Sequence, residues 1–223
     1  MIYRLLNTPC IVITLLLLCR QVSADAFLVQ DQNGLPIKNA VLEFSGTSAA
    51  IPAVVMPPKT LIMDQVDKLF KPEVLVISKG DYVSFPNSDN IRHHVYSFSP
   101  VKPFELKLYS GKANAPLQFN NAGISVLGCN IHDSMVGYIY IANSAYVLLT
   151  DEHGMATLPS TVSYKSINIW HANVSSSVSE TKEMSYADLV AGSSNKALLV
   201  INLLIDSPEP RNTFGSKFKR NGQ

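Results

Sequence analysis

The sequence has few charged residues, and the two signs nearly balance. Only 16% of the 223 residues are charged, with 18 lysines and arginines against 17 aspartates and glutamates. A protein dedicated to binding nucleic acid usually has a basic excess or a basic stripe. Because this chain has neither, nucleic acid is not the expected partner. Apolar residues make up 47% of the chain, which is enough to bury a core.

Cysteine is also scarce, and two of the three cysteines, Cys10 and Cys19, lie near the N-terminus. Residues 1–24 have Arg4 near their start, a short apolar stretch, and a Val-Ser-Ala ending at Ala24. This pattern predicts a secretory signal peptide that is cleaved after Ala24. The apolar stretch is shorter than the roughly 20 residues that a membrane-spanning helix needs. An uncleaved anchor and a lipid-modified Cys19 are the alternatives.

Cleavage leaves Cys129 as the one cysteine, which excludes an internal disulfide framework of the kind that stabilises small exported proteins. The thiol is therefore either an inert buried group or a chemically used one. Cleavage removes two arginines and no acidic residue, so 16 basic residues face 17 acidic ones in the mature chain. We expect a periplasmic protein without a membrane span after cleavage.

Long amphipathic helical patterns are lacking, and apolar residues instead alternate with period two in short segments. The clearest of these predicted strands are residues 73–77, 81–85, 94–98 and 136–141. Turn-forming residues separate them closely, as in a β-sandwich or barrel. Residues 179–191 fit either a short helix or an irregular strand, and residues 207–223 are predicted to be a disordered tail.

Two segments outside the middle of the chain resemble halves of one module. Residues 27–44 contain an Asp-x-x-Gly-x-Pro turn before an Ala-Val strand, and residues 149–158 contain a Thr-Asp-x-x-Gly hairpin. Both resemble turns of transthyretin-like or carboxypeptidase-regulatory-like sandwiches. Because different strands lie between them, we predict an all-β chain in which a sandwich of residues 59–145 is inserted into an outer one. The outer sandwich comprises residues 25–58 and 146–206, and the insertion falls between its second and third strands.

The residues with the clearest chemistry are Cys129, His132 and Met135, together with a pair of histidines that begins 36 positions upstream of the cysteine. Thiolate, imidazole and thioether groups are the ligand set of a type 1 copper site. The spacing lets all three side chains converge on one ion if the backbone makes a tight loop between two strands. His93 and His94 are adjacent, so on a strand they point to opposite faces and only one of them can bind the ion.

At these residues the chain resembles the cupredoxins, with a Cys-x2-His-x2-Met loop similar to that of amicyanin. It resembles more closely the periplasmic plastocyanin-like proteins that are often called methylamine-utilisation proteins. The resemblance covers about residues 60–145 and includes the runs 85–99, 103–111 and 127–135. It implies a Greek-key cupredoxin sandwich for the inserted unit.

The resemblance also implies one type 1 copper ion held by His93, Cys129, His132 and Met135. Two positions differ from the usual pattern of the family. His94 stands where most relatives have an asparagine that helps to tie the ligand loops together, and Ser134 stands where relatives often have an aromatic residue. Neither difference removes a ligand.

These features predict a protein that carries single electrons between redox partners, such as a cytochrome, a dehydrogenase or an oxidase. It is not expected to be an enzyme, because three strong ligands and an axial methionine leave no open position for a substrate. The alternatives are a copper-delivery protein and a structural module that has lost its metal. A delivery protein more often has a segment rich in methionine and histidine. We expect His132 to be the ligand nearest solvent, surrounded by apolar residues such as Met135 and Val136.

Overall fold

The structure is a computed structural model that describes residues 24–49, 57–111, 115–174, 177–193 and 198–206. The predicted signal peptide up to residue 23, most of the proline-rich link before residue 59 and the predicted tail lie outside these ranges. In the described part of the chain, no helix is long and apolar enough to cross a membrane.

Strands make up almost all of the regular structure. The first group is β1 (Ala24–Asp31), β2 (Val41–Ser45) and β3 (Ser48–Ala49). The middle group is β4 (Thr60–Ile62), β5 (Asp64–Val66), β6 (Leu69–Lys71), β7 (Val74–Ser78), β8 (Tyr82–Ser84), β9 (His93–Ser97), β10 (Phe104–Tyr109), β11 (Leu117–Gln118), β12 (Gly123–Cys129) and β13 (Val136–Ala142). The last group is β14 (Val147–Leu149), β15 (Met155–Pro159), β16 (Val162–Ser163), β17 (Ser166–Trp170), β18 (Lys182–Ser185), the helix α1 (Tyr186–Ala191) and β19 (Leu198–Leu203).

The first and last groups of strands form one sandwich. β1 lies between antiparallel β15 and parallel β19, while β2 lies between β14 and β17, with β18 at the edge beyond β17. Between these sheets lies a core that includes Phe27, Phe44 and Tyr164, whose ring centroids are 4.9 to 6.2 Å apart. The two segments that flank the middle of the chain therefore pack as a single unit, the outer sandwich.

Two turns of the outer sandwich are built in the same way. Asp31 accepts hydrogen bonds at 2.8 Å from the backbone N–H groups of Asn33 and Leu35, and Asp151 accepts equivalent bonds two and four residues ahead. Each turn has a glycine with a positive φ, +80° at Gly34 and +70° at Gly154. Such backbone angles favour glycine, which explains the Asp-x-x-Gly pattern in both segments.

The middle group of strands forms the inserted sandwich. Its main sheet has the order β10-β9-β12-β13-β7, in which only the β13–β7 pair is parallel, and it faces the smaller sheet β11-β8-β4 and the β5–β6 hairpin. Within the described ranges, every sheet takes its strands from one sandwich only. The chain is thus an all-β sandwich inserted into another, as predicted. The insertion follows β3 rather than the second strand. The sequence did not reveal β3, because a strand of two residues is too short to leave an alternating pattern.

The two sandwiches share an apolar interface that centres on β13. Ile139 and Ile141 point into the inserted core, whereas Tyr140 and Ala142 pack against Trp170 of the outer sandwich. β13 starts where the predicted ligand loop ends, so the strand that follows the loop is held between two cores.

The stretch that sequence patterns left undecided contains both a strand and a helix. β18 pairs with β17, and Ser185 then caps the six-residue α1 by accepting a hydrogen bond from the Asp188 N–H at 3.1 Å. A serine followed three residues later by an acidic residue is a common helix start.

Candidate metal centre

His93 is the first residue of β9, and its side chain is fully buried. Burial alternates along this strand, so His93, Val95 and Ser97 face the inserted core while His94 and Tyr96 face outward. This is the facial alternation expected of a strand. Val95 pairs with Cys129, which brings the end of β12 next to the start of β9.

The predicted ligand loop, residues 129–135, is a tight connection between β12 and β13. The Cys129 N–H donates to the Met135 carbonyl at 3.2 Å, and the Met135 N–H donates to the His132 carbonyl at 2.9 Å. The Asn130 N–H donates to the His94 carbonyl at 3.1 Å and ties the loop to β9. Backbone bonds therefore fix the loop and connect it to the strand that carries the upstream histidine.

Three side chains converge at this point. Cys129 Sγ lies 3.6 Å from His93 Nδ1 and 4.0 Å from His132 Nδ1. One donor atom from each of the three residues lies within 4.8 Å of the others. Both imidazoles thus direct the same ring nitrogen towards the sulfur, and one thiolate with two imidazoles suits copper. Met135 is fully buried in the same core cluster as Cys129, so the residues present fit a type 1 copper ion.

Asp89, which sequence patterns did not single out, contacts the buried histidine. Its Oδ2 lies 2.7 Å from His93 Nε2, and its side chain is only 12% exposed. Burial alone would raise the pKa of Asp89, but hydrogen bonds from the Lys68 N–H, the His93 ring and the Asp67 N–H outweigh it and hold this pKa below its usual range. Asp89 is therefore a carboxylate at neutral pH.

A set of polar side chains near the centre was not recognised from the sequence either. The Tyr109 hydroxyl donates to the Phe85 carbonyl at 2.6 Å, and Gln65 Nε2 donates to the Pro86 carbonyl at 2.9 Å. Burial raises the pKa of Tyr109 to about 12, so its hydroxyl keeps its proton. Asn87 continues this support, since its Nδ2 donates to the carbonyls of Ile91 and Tyr109. Together these side chains fix the backbone that leads to Asp89 and His93.

The solvent-facing side of the centre differs from expectation in one respect. His132 is half-buried whereas His93 is fully buried, so of the two histidines beside Cys129, His132 lies nearer to solvent. Met135 has no exposed surface, and the prediction that it contributes to an apolar surface around His132 is wrong because its side chain lies in the core. Ile131, the residue before His132, is apolar and 47% exposed, and Val136 is half-buried.

His94 lies on the opposite face of β9 from His93. Its Nε2 is 2.8 Å from Glu105 Oε1, an ion-pair distance without hydrogen-bond geometry. The connection between the ligand loop and β9 runs through the backbone carbonyl of His94, so it does not depend on the side chain at this position.

No protein-family profile and no curated protein matches this sequence. Among solved structures, the chain is similar to a copper-containing nitrite reductase from Thermus scotoductus SA-01, with 26% identity and a TM-score of 0.35 over 44% of this chain and 25% of that one. It is also similar to a purple cupredoxin from Nitrosopumilus maritimus, with 18% identity and a TM-score of 0.33 over 37% of this chain and 98% of that one. A reduced amicyanin variant has 21% identity and a TM-score of 0.34 over 46% and 98%. The match thus spans a quarter of the reductase and nearly all of the two cupredoxins.

Proposed function

We propose that the inserted sandwich is a cupredoxin with one type 1 copper ion, and that the protein carries single electrons between redox partners in the periplasm. The observation that supports this proposal is the convergence of Cys129 Sγ with the Nδ1 atoms of His93 and His132. These three residues would hold the ion, with Met135 as a weak axial ligand. Copper in such a ligand set supplies a one-electron couple.

Burial and backbone bonding suit the ligands to electron transfer. His93 and Met135 are fully buried, and Cys129 is 3% exposed. Hydrogen bonds within the loop hold Cys129 and Met135 at a fixed spacing. Ligands that keep their positions and exclude water need little rearrangement when the charge of the site changes. Since the ligand set leaves no position for a substrate, we propose a carrier rather than an enzyme.

The same burial makes copper delivery the weaker candidate. To pass an ion to an acceptor, a delivery protein exchanges its ligands one by one with those of the acceptor. Here only His132 among the four proposed ligands reaches the surface. An electron, unlike an ion, needs only a short path through the His132 ring.

The proposed partner is a redox protein with a small apolar contact surface. Ile131 is exposed beside His132, which matches the small contacts of transient redox complexes. The nearly balanced charge of the chain gives little long-range attraction. We therefore expect association with the partner to depend weakly on ionic strength. Location in the periplasm follows from the predicted signal peptide.

Titration of the mature protein with Cu(II) tests the site. One equivalent should give an intense visible band, because a covalent thiolate bond mixes sulfur and copper orbitals. Cys129→Ala should abolish the band. His93→Gln and His94→Gln form a matched pair in one strand, and only His93→Gln should abolish it. A colourless complex of the unaltered protein, or loss of the band only in His94→Gln, would contradict the assignment.

Carrier and delivery roles are separated by a second measurement. The Cu(I) protein is mixed with excess of a coloured Cu(I) chelator, and in parallel with a one-electron oxidant. A carrier should be oxidised reversibly much faster than it loses copper to the chelator. Loss of copper at a comparable rate would favour delivery.

A further inference from the structure

We propose that Asp89 is a positioning residue that fixes the His93 ring with Nδ1 free to bind copper, and that the turn between β5 and β6 holds Asp89 in place. The role towards copper rests on the proposed function. The hydrogen bonds that join the turn, Asp89 and His93 are present in the protein without metal.

The first step concerns the protons of the His93 ring. A neutral imidazole has one nitrogen that donates and one that accepts, whereas a carboxylate only accepts. Because His93 Nε2 lies 2.7 Å from Asp89 Oδ2, the proton belongs on Nε2. Nδ1, which faces Cys129 Sγ at 3.6 Å, is then left with its lone pair. This is the tautomer that a metal bound through Nδ1 requires.

The second step concerns what holds Asp89. Its two carboxylate oxygens accept hydrogen bonds from the Asp67 N–H at 2.7 Å and the Lys68 N–H at 3.0 Å. Its own N–H donates to Asn87 Oδ1 at 3.1 Å. The carboxylate cannot rotate away from His93 without losing both N–H donors, and leaving such groups unpaired is costly.

The third step concerns why the turn offers two N–H groups. Asp67 and Lys68 have φ angles of +56° and +60°, and they connect the paired residues Val66 and Leu69. A two-residue hairpin turn with positive φ at both positions is the favoured connection between tightly paired strands. It turns consecutive N–H groups towards one acceptor, as in anion-binding backbone concavities. Asp89 thereby connects the exposed turn of this hairpin to the fully buried ring of His93.

Together these contacts form a chain from backbone turn to carboxylate to imidazole. An anionic acceptor on the remote N–H makes the other ring nitrogen a stronger donor and fixes the ring orientation. The chain is complete without metal, so the upstream ligand is set in place before copper arrives. The β5–β6 hairpin, which contributes no proposed ligand, gains a role in the site.

The tautomer of His93 in the metal-free protein tests the first step without any variant. Nitrogen-15 NMR of the ring at about pH 8 should show the proton on Nε2 and none on Nδ1. A proton on Nδ1 would overturn the proposal. Because this measurement needs no copper, it remains decisive even if the protein proves not to be a copper carrier.

The role towards copper is tested with Asp89→Asn and a matched control, Asp64→Asn. Asp64 lies in the same hairpin and binds Ser88 Oγ at 2.8 Å, so its replacement removes a nearby charge without touching the ring. Loss of an outer partner of a metal-binding histidine typically costs 10- to 100-fold in metal affinity. We expect Asp89→Asn to weaken Cu(II) binding by about that factor, with a change of less than about threefold for Asp64→Asn. Chelator competition measures both.

Equal losses in the two variants would show a general charge effect and overturn the positioning role. No loss in either would do the same. If the unaltered protein fails to form a blue site while the tautomer is as expected, the proposed function fails and the hydrogen-bond chain stands. If the blue site forms but Asp89→Asn binds Cu(II) as tightly as the unaltered protein, only the positioning role fails.

Discussion

Glu43 is a nearly buried carboxylate that bonds the outer sandwich to the inserted one, and its replacement should destabilise the protein strongly. It lies in β2 and is 8% exposed. Oε2 accepts a hydrogen bond from the Tyr140 hydroxyl at 2.7 Å, while Oε1 accepts from the Asn143 and Ser144 N–H groups at 2.8 and 2.6 Å. One side chain thus binds both β13 and the point where the chain returns to the outer sandwich.

The cost of changing Glu43 depends on which donors remain satisfied. In Glu43→Leu the buried Tyr140 hydroxyl loses its acceptor entirely, while water can partly reach the two N–H groups because Asn143 is exposed. At roughly 1–3 kcal/mol for each unpaired buried donor, we expect a loss of about 3–5 kcal/mol. In Glu43→Gln the amide oxygen keeps the two N–H donors, and the Tyr140 hydroxyl can accept from the amide nitrogen. That loss should be about 1 kcal/mol.

Urea unfolding followed by the fluorescence of Trp170 measures both losses. Trp170 is the one tryptophan, it is fully buried, and its ring lies 5.4 Å from Tyr138 and 6.0 Å from Tyr140. It therefore reports directly on the interface between the sandwiches. Glu152→Gln is the control, since its ion pair with Lys38 is mostly exposed and contributes little to stability. A loss for Glu43→Leu no larger than that of the control would refute the reasoning.

Three further predictions concern pH, backbone strain and electron exchange. Burial lowers the pKa of His171, so the unfolded chain binds a proton more readily than the folded one. The free energy of unfolding should therefore fall as the pH drops below about 6.5, by at most about 1.4 kcal/mol per pH unit. If the urea midpoint of His171→Gln depends on pH as steeply as that of the unaltered protein, this prediction is contradicted. Gly154→Ala should lower the melting temperature more than Gly34→Ala. The φ angle is positive at both glycines, but only a Cβ at residue 154 would collide with a backbone oxygen, that of Val29. Equal shifts in the two variants would exclude this steric contribution. Ile131→Asp should slow electron self-exchange between the Cu(I) and Cu(II) proteins, which NMR line broadening measures. Leu204→Asp places the same charge at an exposed apolar position in the outer sandwich and should leave the rate unchanged. Equal rates in the two variants would contradict a contact surface beside His132.

Local patterns predicted those parts of the site that depend on neighbours in sequence. The spacing of Cys129, His132 and Met135 indicated a tight loop, and strand alternation indicated that only one of the adjacent His93 and His94 can face the ion. The support of the site depends instead on contacts between distant segments. Asp89 receives its N–H donors from a turn about 20 residues earlier, and a short strand containing Gln65 gives no pattern that reveals a buried polar side chain.

The outer sandwich shows the same limit. In β2, alternation alone would place Glu43 on a solvent-facing side, opposite Leu42 and Phe44. Four of its five residues are buried because the inserted sandwich covers the second face. An alternating pattern predicts that one face of a strand is buried, but it does not show whether another part of the chain covers the opposite face. Likewise, the apolar character of the loop residues does not show that Met135 is buried and Ile131 is exposed.

Electron paramagnetic resonance of the protein loaded with one equivalent of Cu(II) tests the central claim most directly. If Cys129, His93 and His132 hold the ion together, unpaired spin spreads onto the sulfur and the copper hyperfine splitting along the main axis should be unusually small. Cys129→Ala should restore the wide splitting of a copper site with nitrogen and oxygen ligands. A wide splitting in the unaltered protein, unchanged by Cys129→Ala, would contradict a type 1 copper centre at these residues.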